Sequence, residues 1–307
     1  MSRGLGDVYK RQVKYHEQNG TVLLYPAYSF VKIPHAVSYE VEITDEEPEN
    51  PDGCEPSVHR ISQGIVTIPE LFDELPRQGT VWWRVRGLDE NGGPVGVWSE
   101  AEKIVNDPAE NWETGILGDS ISHGGGRMSY SPADWPYNYA YYLDFPTINM
   151  SRSGDKTDDL LRRFDADVLP FHVRYLLIMG GTNNLRCGGT AEKVISDLEA
   201  LQEKCRSGGI EPVLLTIPPI APDRIWKYYQ QPTAENWKAE FDKVNGWIRT
   251  QTHIDTAAPF AMYEDMPENL AADGLHPDKE AKEKMGKIIN EKFPEIRKKI
   301  SETKIQK

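Results

Sequence analysis

Thr114-Gly115-Ile116-Leu117-Gly118-Asp119-Ser120-Ile121-Ser122-His123 passes from a short apolar run into a polar turn, and Gly124-Gly125-Gly126 follows. A strand that ends in a small residue and then serine leaves the hydroxyl projecting from the end of a sheet. Ser120 also fits a plain helix N-cap, the commonest use of serine after a strand. Residues 118–122 alone do not separate the two readings. The stretches downstream do.

Beyond residue 113, strand-like apolar runs alternate with amphipathic helical stretches. The runs are Ile116-Leu117, Thr147-Ile148-Asn149-Met150, Tyr175-Leu176-Leu177-Ile178-Met179 and Pro212-Val213-Leu214-Leu215-Thr216-Ile217. The helices are expected at 156–164, 190–208, 233–250 and 278–293; Thr190 opens the second and Gly208-Gly209 closes it. Continuous apolar strands alternating with helices imply an α/β unit with a parallel sheet covered on both faces. In such sheets the site lies beyond the carboxyl ends of the strands. Four stretches fall there: Ser120, Ser153-Gly154-Asp155-Lys156-Thr157, Gly180-Gly181-Thr182-Asn183-Asn184, and Asp273-Gly274-Leu275-His276-Pro277.

These residue types suit acyl transfer. A serine hydroxyl is a poor nucleophile until a base takes its proton, and His276 is the candidate base. Asp273, three residues earlier, can share its turn, accept the imidazole N–H and fix the tautomer. Negative charge developing on a substrate carbonyl needs fixed donors, which the N–H groups of Ser120 and Gly154 and the Asn183 amide can supply. Each stretch taken singly also reads as a turn or a helix start.

In this order the four stretches resemble the blocks of the SGNH hydrolase family, the GDSL esterases. Gly118-Asp119-Ser120 matches the nucleophile block, Gly154 the glycine, Asn183 the asparagine, and Asp273 with His276 the Asp-x-x-His pair. The resemblance implies a flavodoxin-like three-layer α/β/α domain over 114–298, acting as a serine hydrolase with no metal and no cofactor. It implies Ser120, Asp273 and His276 as catalytic residues, and Ser120, Gly154 and Asn183 as the oxyanion hole. Two departures stand out: Ile121 replaces the leucine of the older family name, and Asn184 stands where the family often has Asp. The second alters hydrogen bonding behind the oxyanion hole.

Around the nucleophile, 127–142 is rich in aromatics, and Tyr130 and Trp135 are candidate pocket walls. His123 lines the pocket or serves packing. Arg186, just after Asn183, can meet a polar or anionic group. Ile225-Trp226-Lys227-Tyr228-Tyr229 reads as a second aromatic loop over the site, with Trp226 as its substrate-facing member. Aromatic walls with polar tips suit sugar faces or aromatic acyl groups better than a long lipid chain.

The first third is of another kind. Thr21-Val22-Leu23-Leu24-Tyr25, Ser38-Tyr39-Glu40-Val41-Glu42-Ile43, Ile65-Val66-Thr67-Ile68 and Thr80-Val81-Trp82-Trp83-Arg84-Val85-Arg86 read as short strands, with Asn91-Gly92-Gly93 a hairpin tip. Strands at this spacing imply a β-sandwich over 13–105. The run from Trp82 to Gly92, with Val97-Trp98-Ser99-Glu100, resembles the last hairpin of a fibronectin type III module. Trp82, Trp83 and Trp98 are read as packing, with a sugar platform as the alternative. A polar linker at 106–113 separates the two parts. Residues 1–12 do not join the pattern and read as a non-native or disordered leader.

Composition narrows the partners. The 307 residues carry a net charge of −13, which offers no basic field to nucleic acid phosphates or an anionic membrane. No run is long and apolar enough for a membrane span, and the leader lacks a signal-peptide core. Cytoplasmic location is the default expectation, with secretion open should a natural N-terminus be missing. Three cysteines without CxxC spacing suggest neither a disulfide framework nor a thiolate zinc site. No Gly-x-Ser-x-Gly elbow or His-Glu-x-x-His is present. The expectation is a serine esterase acting on a small-molecule or glycan ester, foremost an acetylated carbohydrate. A short-chain carboxylesterase, thioesterase or lipase-like enzyme is the alternative, and a non-catalytic glycan-binding protein the reading from another class. Oligomeric state is not legible.

Overall fold

The computed structural model describes residues 20–50, 52–125, 132 and 134–305, so the leader and Tyr130 lie outside the described residues. The chain forms two compact units: Leu23–Glu110, and Asn111 onward together with the residues just before Leu23. Its first strand is β1 (Thr21–Leu23). The N-terminal unit then contains β2 (Ala27–Ser29), β3 (Ser38–Thr44), β4 (Arg60–Val66), β5 (Glu70–Phe72), β6 (Gly79–Leu88), β7 (Pro94–Val95) and β8 (Glu102–Asn106).

This unit is antiparallel and all-β. One sheet runs β4-β3-β6-β7, with β8 also on β6, and β2 pairs with β5 separately. The tip at 89–93 closes through Asp89 N to Gly93 O at 2.8 Å, which brings Leu88 opposite Pro94. Period-2 alternation sends Tyr39, Val41, Ile43, Trp83 and Val85 into one core. The opposite face is buried too, and it is ionic. Glu42 and Arg84, cross-strand partners, form an ion pair in which neither side chain is exposed, and Arg84 and Arg86 stack over the Trp98 ring at 4.7 and 4.4 Å. Trp83 and Trp98 are thus packing residues, as their sequence context indicates.

The second unit comprises β9 (Thr114–Gly118), α1 (Ser120–His123), β10 (Thr147–Asn149), α2 (Thr157–Asp167), β11 (Tyr175–Met179), α3 (Thr182–Arg186), α4 (Ala191–Ser207), β12 (Glu211–Leu215), α5 (Pro222–Tyr229), α6 (Trp237–Ile248), β13 (His253–Ile254) and α7 (Lys279–Ile305). The sheet order is β1-β10-β9-β11-β12-β13, with β10, β9, β11, β12 and β13 pairing in parallel. Leaving β1 aside, this is the 2-1-3-4-5 order of doubly wound flavodoxin-like sheets. Ile116, Leu177, Met179, Val213 and Leu215 face α7 through Met285, Ile289 and Phe293. Strand residues of the other parity, Leu176, Ile178 and Leu214, face the layer where α4 packs on β12 and against α2 and α6.

Three readings need correction. Thr21–Leu23 is not a sandwich strand; it is the edge of the parallel sheet, where Thr147 N donates to Gly20 O at 2.9 Å. Residues 225–229 are not a loop but the end of helix α5, started by Pro222 at its first position. The last helix runs to Ile305, through Pro294, well past residue 293.

Candidate active site

Ser120 is the first residue of α1, and the turn before it is tightly made. Gly118 is required by close approach: a Cβ there would lie 2.5 Å from the Met179 carbonyl oxygen and 2.6 Å from Ser122 Oγ. Asp119 caps the one-turn helix, its Oδ1 accepting from Ile121 N at 2.9 Å. The Ser120 N–H, at the first helical position, has no intrahelical acceptor.

His276 Nε2 lies 2.9 Å from Ser120 Oγ, and its Nδ1 lies 2.8 Å from Asp273 Oδ2. With Nδ1–H donated to the carboxylate, Nε2 is left as the acceptor of the serine proton. Asp273 is fully buried, and its Oδ1 accepts the N–H groups of Leu275 and His276, each at 2.8 Å. Burial alone would raise its pKa. The hydrogen bond and charge of His276, then the Tyr229 hydroxyl, outweigh burial and lower it to about 2. The carboxylate is therefore ionised wherever the imidazole must be held.

Gly154 turns with φ +90°, a conformation that favours glycine, and a Cβ there would meet nothing within 4 Å. The backbone is thus open to an approaching ligand. Asn183 sits on the first turn of α3, only 7% exposed. One of its amide protons goes to Asp155 O at 3.0 Å. Asn184 Oδ1 accepts from Thr157 N at 3.0 Å, which ties α3 to the start of α2.

Of the residues expected to touch substrate, two are engaged elsewhere. His123 is 3% exposed, with its ring bonded to Ser153 Oγ at 2.9 Å, beside Gly154. Arg186 donates from Nε to Asn183 Oδ1 at 3.2 Å and from Nη2 to Gln231 Oε1 at 3.1 Å. Trp135 is half-buried in a short turn anchored to α1, where Asn138 Nδ2 donates to His123 O. Trp226 is 53% exposed on α5.

Sequence reasoning put Tyr229 in a loop over the site but missed its contact: the hydroxyl donates to Asp273 Oδ2 at 2.6 Å. It also missed Lys282 on α7, which is fully buried and donates to the Ile121 carbonyl in α1, next to Ser120. Burial lowers the Lys282 pKa to about 7, against the upward pull of Asp119, Asp278 and Asp273. Asp119, buried beside it, is pushed up to about 6 by burial despite Ile121 N–H, His276 and Lys282.

A serine, an imidazole and a carboxylate in line, beside a glycine turn and an asparagine amide, recur in a known set of proteins. The model of the GDSL-like lipase/acylhydrolase family matches residues 116–284, more than half of the chain. The chain belongs to this family. Among curated proteins, the GDSL-like acylhydrolase is similar to thioesterase 1/protease 1/lysophospholipase L1 of Escherichia coli strain K12. The two are 29% identical over 171 residues, covering 54% of this chain and 76% of the relative. The same protein from the O6:H1 strain matches equally. Among solved structures, a GDSL-like lipase from Bacteroides thetaiotaomicron superposes with a TM-score of 0.50 at 16% identity, over 62% of this chain and 90% of that one. That likeness shows the α/β fold of the acylhydrolase unit. Family and relatives together make the chain a carboxylic ester hydrolase. Among the described residues no helix is long and apolar enough to cross a membrane.

Proposed function

We propose that this acylhydrolase is a serine esterase working through an acyl-enzyme on Ser120, with an acetyl ester of a carbohydrate as its substrate. The observation that carries the reading is the unbroken line from Ser120 Oγ through His276 to Asp273, at 2.9 and 2.8 Å. His276 Nε2 takes the hydroxyl proton as Oγ attacks the ester carbonyl. The oxyanion is held by the N–H groups of Ser120 and Gly154 and the second Asn183 amide proton. Collapse expels the alcohol, which receives the proton from His276. Water, deprotonated by the same imidazole, then releases the acid and restores Ser120.

The acetyl group is preferred by analogy with polysaccharide deacetylases that pair a β-sandwich with an SGNH domain, and two aromatic side chains support a sugar. Trp226 offers an exposed ring and Trp135 a half-buried one, surfaces that suit sugar faces with polar rims. The all-β N-terminal unit is taken as a fibronectin type III-like sandwich, an accessory to the esterase. A longer acyl or thioester substrate is the second reading, favoured by the E. coli relative, named for thioesterase and lysophospholipase activity.

Hydrolysis of p-nitrophenyl acetate, butyrate and octanoate separates the two, with Ser120→Ala as control. Acetate preferred, with activity abolished in the variant, supports the proposal, and acetylated oligosaccharides are the next substrates. Octanoate preferred favours the second reading. Undiminished activity in Ser120→Ala would remove the serine mechanism.

A further inference from the structure

The Asp273 end of the catalytic line and the Asn183 side of the site both lean on one stretch of chain, α5 and the five residues after it. At one end, Tyr229 OH donates to Asp273 Oδ2 at 2.6 Å, the same oxygen that receives His276 Nδ1–H, and lies 3.4 Å from Nδ1 itself. At the other, Gln231 Oε1 accepts from Arg186 Nη2, Ala234 N donates to Arg186 O at 2.8 Å, and Arg186 Nε donates to the Asn183 amide oxygen. A single residue, Gln230, therefore separates the contact that fixes the carboxylate from the one that orients the oxyanion asparagine. The stretch is itself pinned: Ala221 N donates to Gly274 O at 2.7 Å, and the Arg224 guanidinium reaches the carbonyls of Met266 and Ala271.

We propose that residues 221–234 form a positioning clamp in which Tyr229 orients Asp273 and Arg186, held by Gln231, orients and polarises the Asn183 amide. The proposal rests on the serine-esterase reading above. A carboxylate oxygen shared by two donors has less freedom to rotate away from the imidazole. A guanidinium on the amide oxygen draws electron density from Nδ2 and makes its remaining proton a better donor to an oxyanion. Arg186, expected to meet substrate, thus acts through Asn183. Neither Tyr229 nor Arg186 is a catalytic residue in this account.

The two halves of the clamp have different signatures. Removing the Tyr229 hydroxyl leaves more charge on Asp273 for the imidazolium, so the base must be deprotonated at higher pH. Other titratable groups acting on the pair are Asp119 from the nucleophile turn and Lys282 from α7, with Asp278 beside Lys282. Tyr229→Phe leaves these in place.

The test is the pH dependence of kcat and kcat/KM on p-nitrophenyl acetate for wild type, Tyr229→Phe, Arg186→Gln and Arg186→Lys, with Tm recorded for each. In Tyr229→Phe we expect kcat to fall about tenfold, the worth of one hydrogen bond to a charged group, with KM unchanged and the acidic limb moved to higher pH. Arg186→Gln should lower kcat severalfold across the profile without moving that limb, and Arg186→Lys should recover part of the loss. Wild-type kcat and limb in Tyr229→Phe would overturn the proposal. So would losses in both variants that appear as a raised KM and a lowered Tm, the mark of a merely structural role. Failure of the underlying reading shows separately, as activity that survives Ser120→Ala.

Discussion

Four hydrogen bonds converge on the Asp273 carboxylate, two from backbone N–H groups and two from the side chains of His276 and Tyr229. Asp273 and His276 lie three residues apart on one turn, so their pairing is readable from sequence. Tyr229 is 44 residues from Asp273, and Lys282 is 161 from its acceptor Ile121, so no local pattern announces either. Lys282 yields a prediction about stability. Its folded pKa, about 7, lies below its ordinary value, so between there and about pH 10 the unfolded chain holds a proton that the folded chain has lost. This group's contribution to stability therefore rises with pH across that window, by at most about 1.4 kcal/mol per pH unit. Urea unfolding of wild type and Lys282→Met should show the difference moving in favour of wild type as pH rises from about 7 to about 10. Parallel stability curves would contradict the assignment.

The strand ends decide the geometry among the elements. β9, β11 and β12 were legible as apolar runs because a parallel strand buried on both faces has little polar alternation to blur it. α5 was not: two turns rich in Trp and Tyr carry a weak helical signal, and it is held by contacts to Ala271, Met266 and Gly274 that lie far along the chain. The most sensitive element junction is β9 to α1. Gly118→Ala would drive a Cβ into the Met179 carbonyl, which belongs to the neighbouring strand and cannot swing aside. A loss of about 1–3 kcal/mol in urea unfolding is expected, with kcat reduced because Ser120 is two residues on. Wild-type stability in this variant would show that the junction has slack.

Over the whole molecule, chain order and architecture part company. The acylhydrolase sheet begins at β1, then the all-β unit intervenes before β9 resumes it. A three-residue strand says nothing about its partner, and Thr21 meets Thr147 through their hydroxyls across 126 residues. That is why 21–25 read as part of the first unit. The ionic face behind Trp98 was equally hidden: alternation marks Glu40, Glu42, Arg84 and Arg86 as one face but not as a covered one. The consequence concerns truncation. Deleting 1–110 exposes the β10 edge and strands the Thr147 N–H, whereas a deletion of 24–110 closed by a flexible linker keeps β1 in place. The first variant should have the lower Tm and the greater tendency to aggregate. Equal Tm values would mean that β1 adds nothing to the sheet.

The claim underlying the whole account is that Ser120 carries the acyl group during turnover. The direct measurement is acid quenching of wild type during steady-state hydrolysis of p-nitrophenyl acetate, followed by peptide mass analysis. An acetyl group on the peptide containing Ser120, absent from Ser120→Ala, is the predicted result. Turnover with that peptide unmodified at every quench time, and acetyl accumulating on another residue, would contradict it.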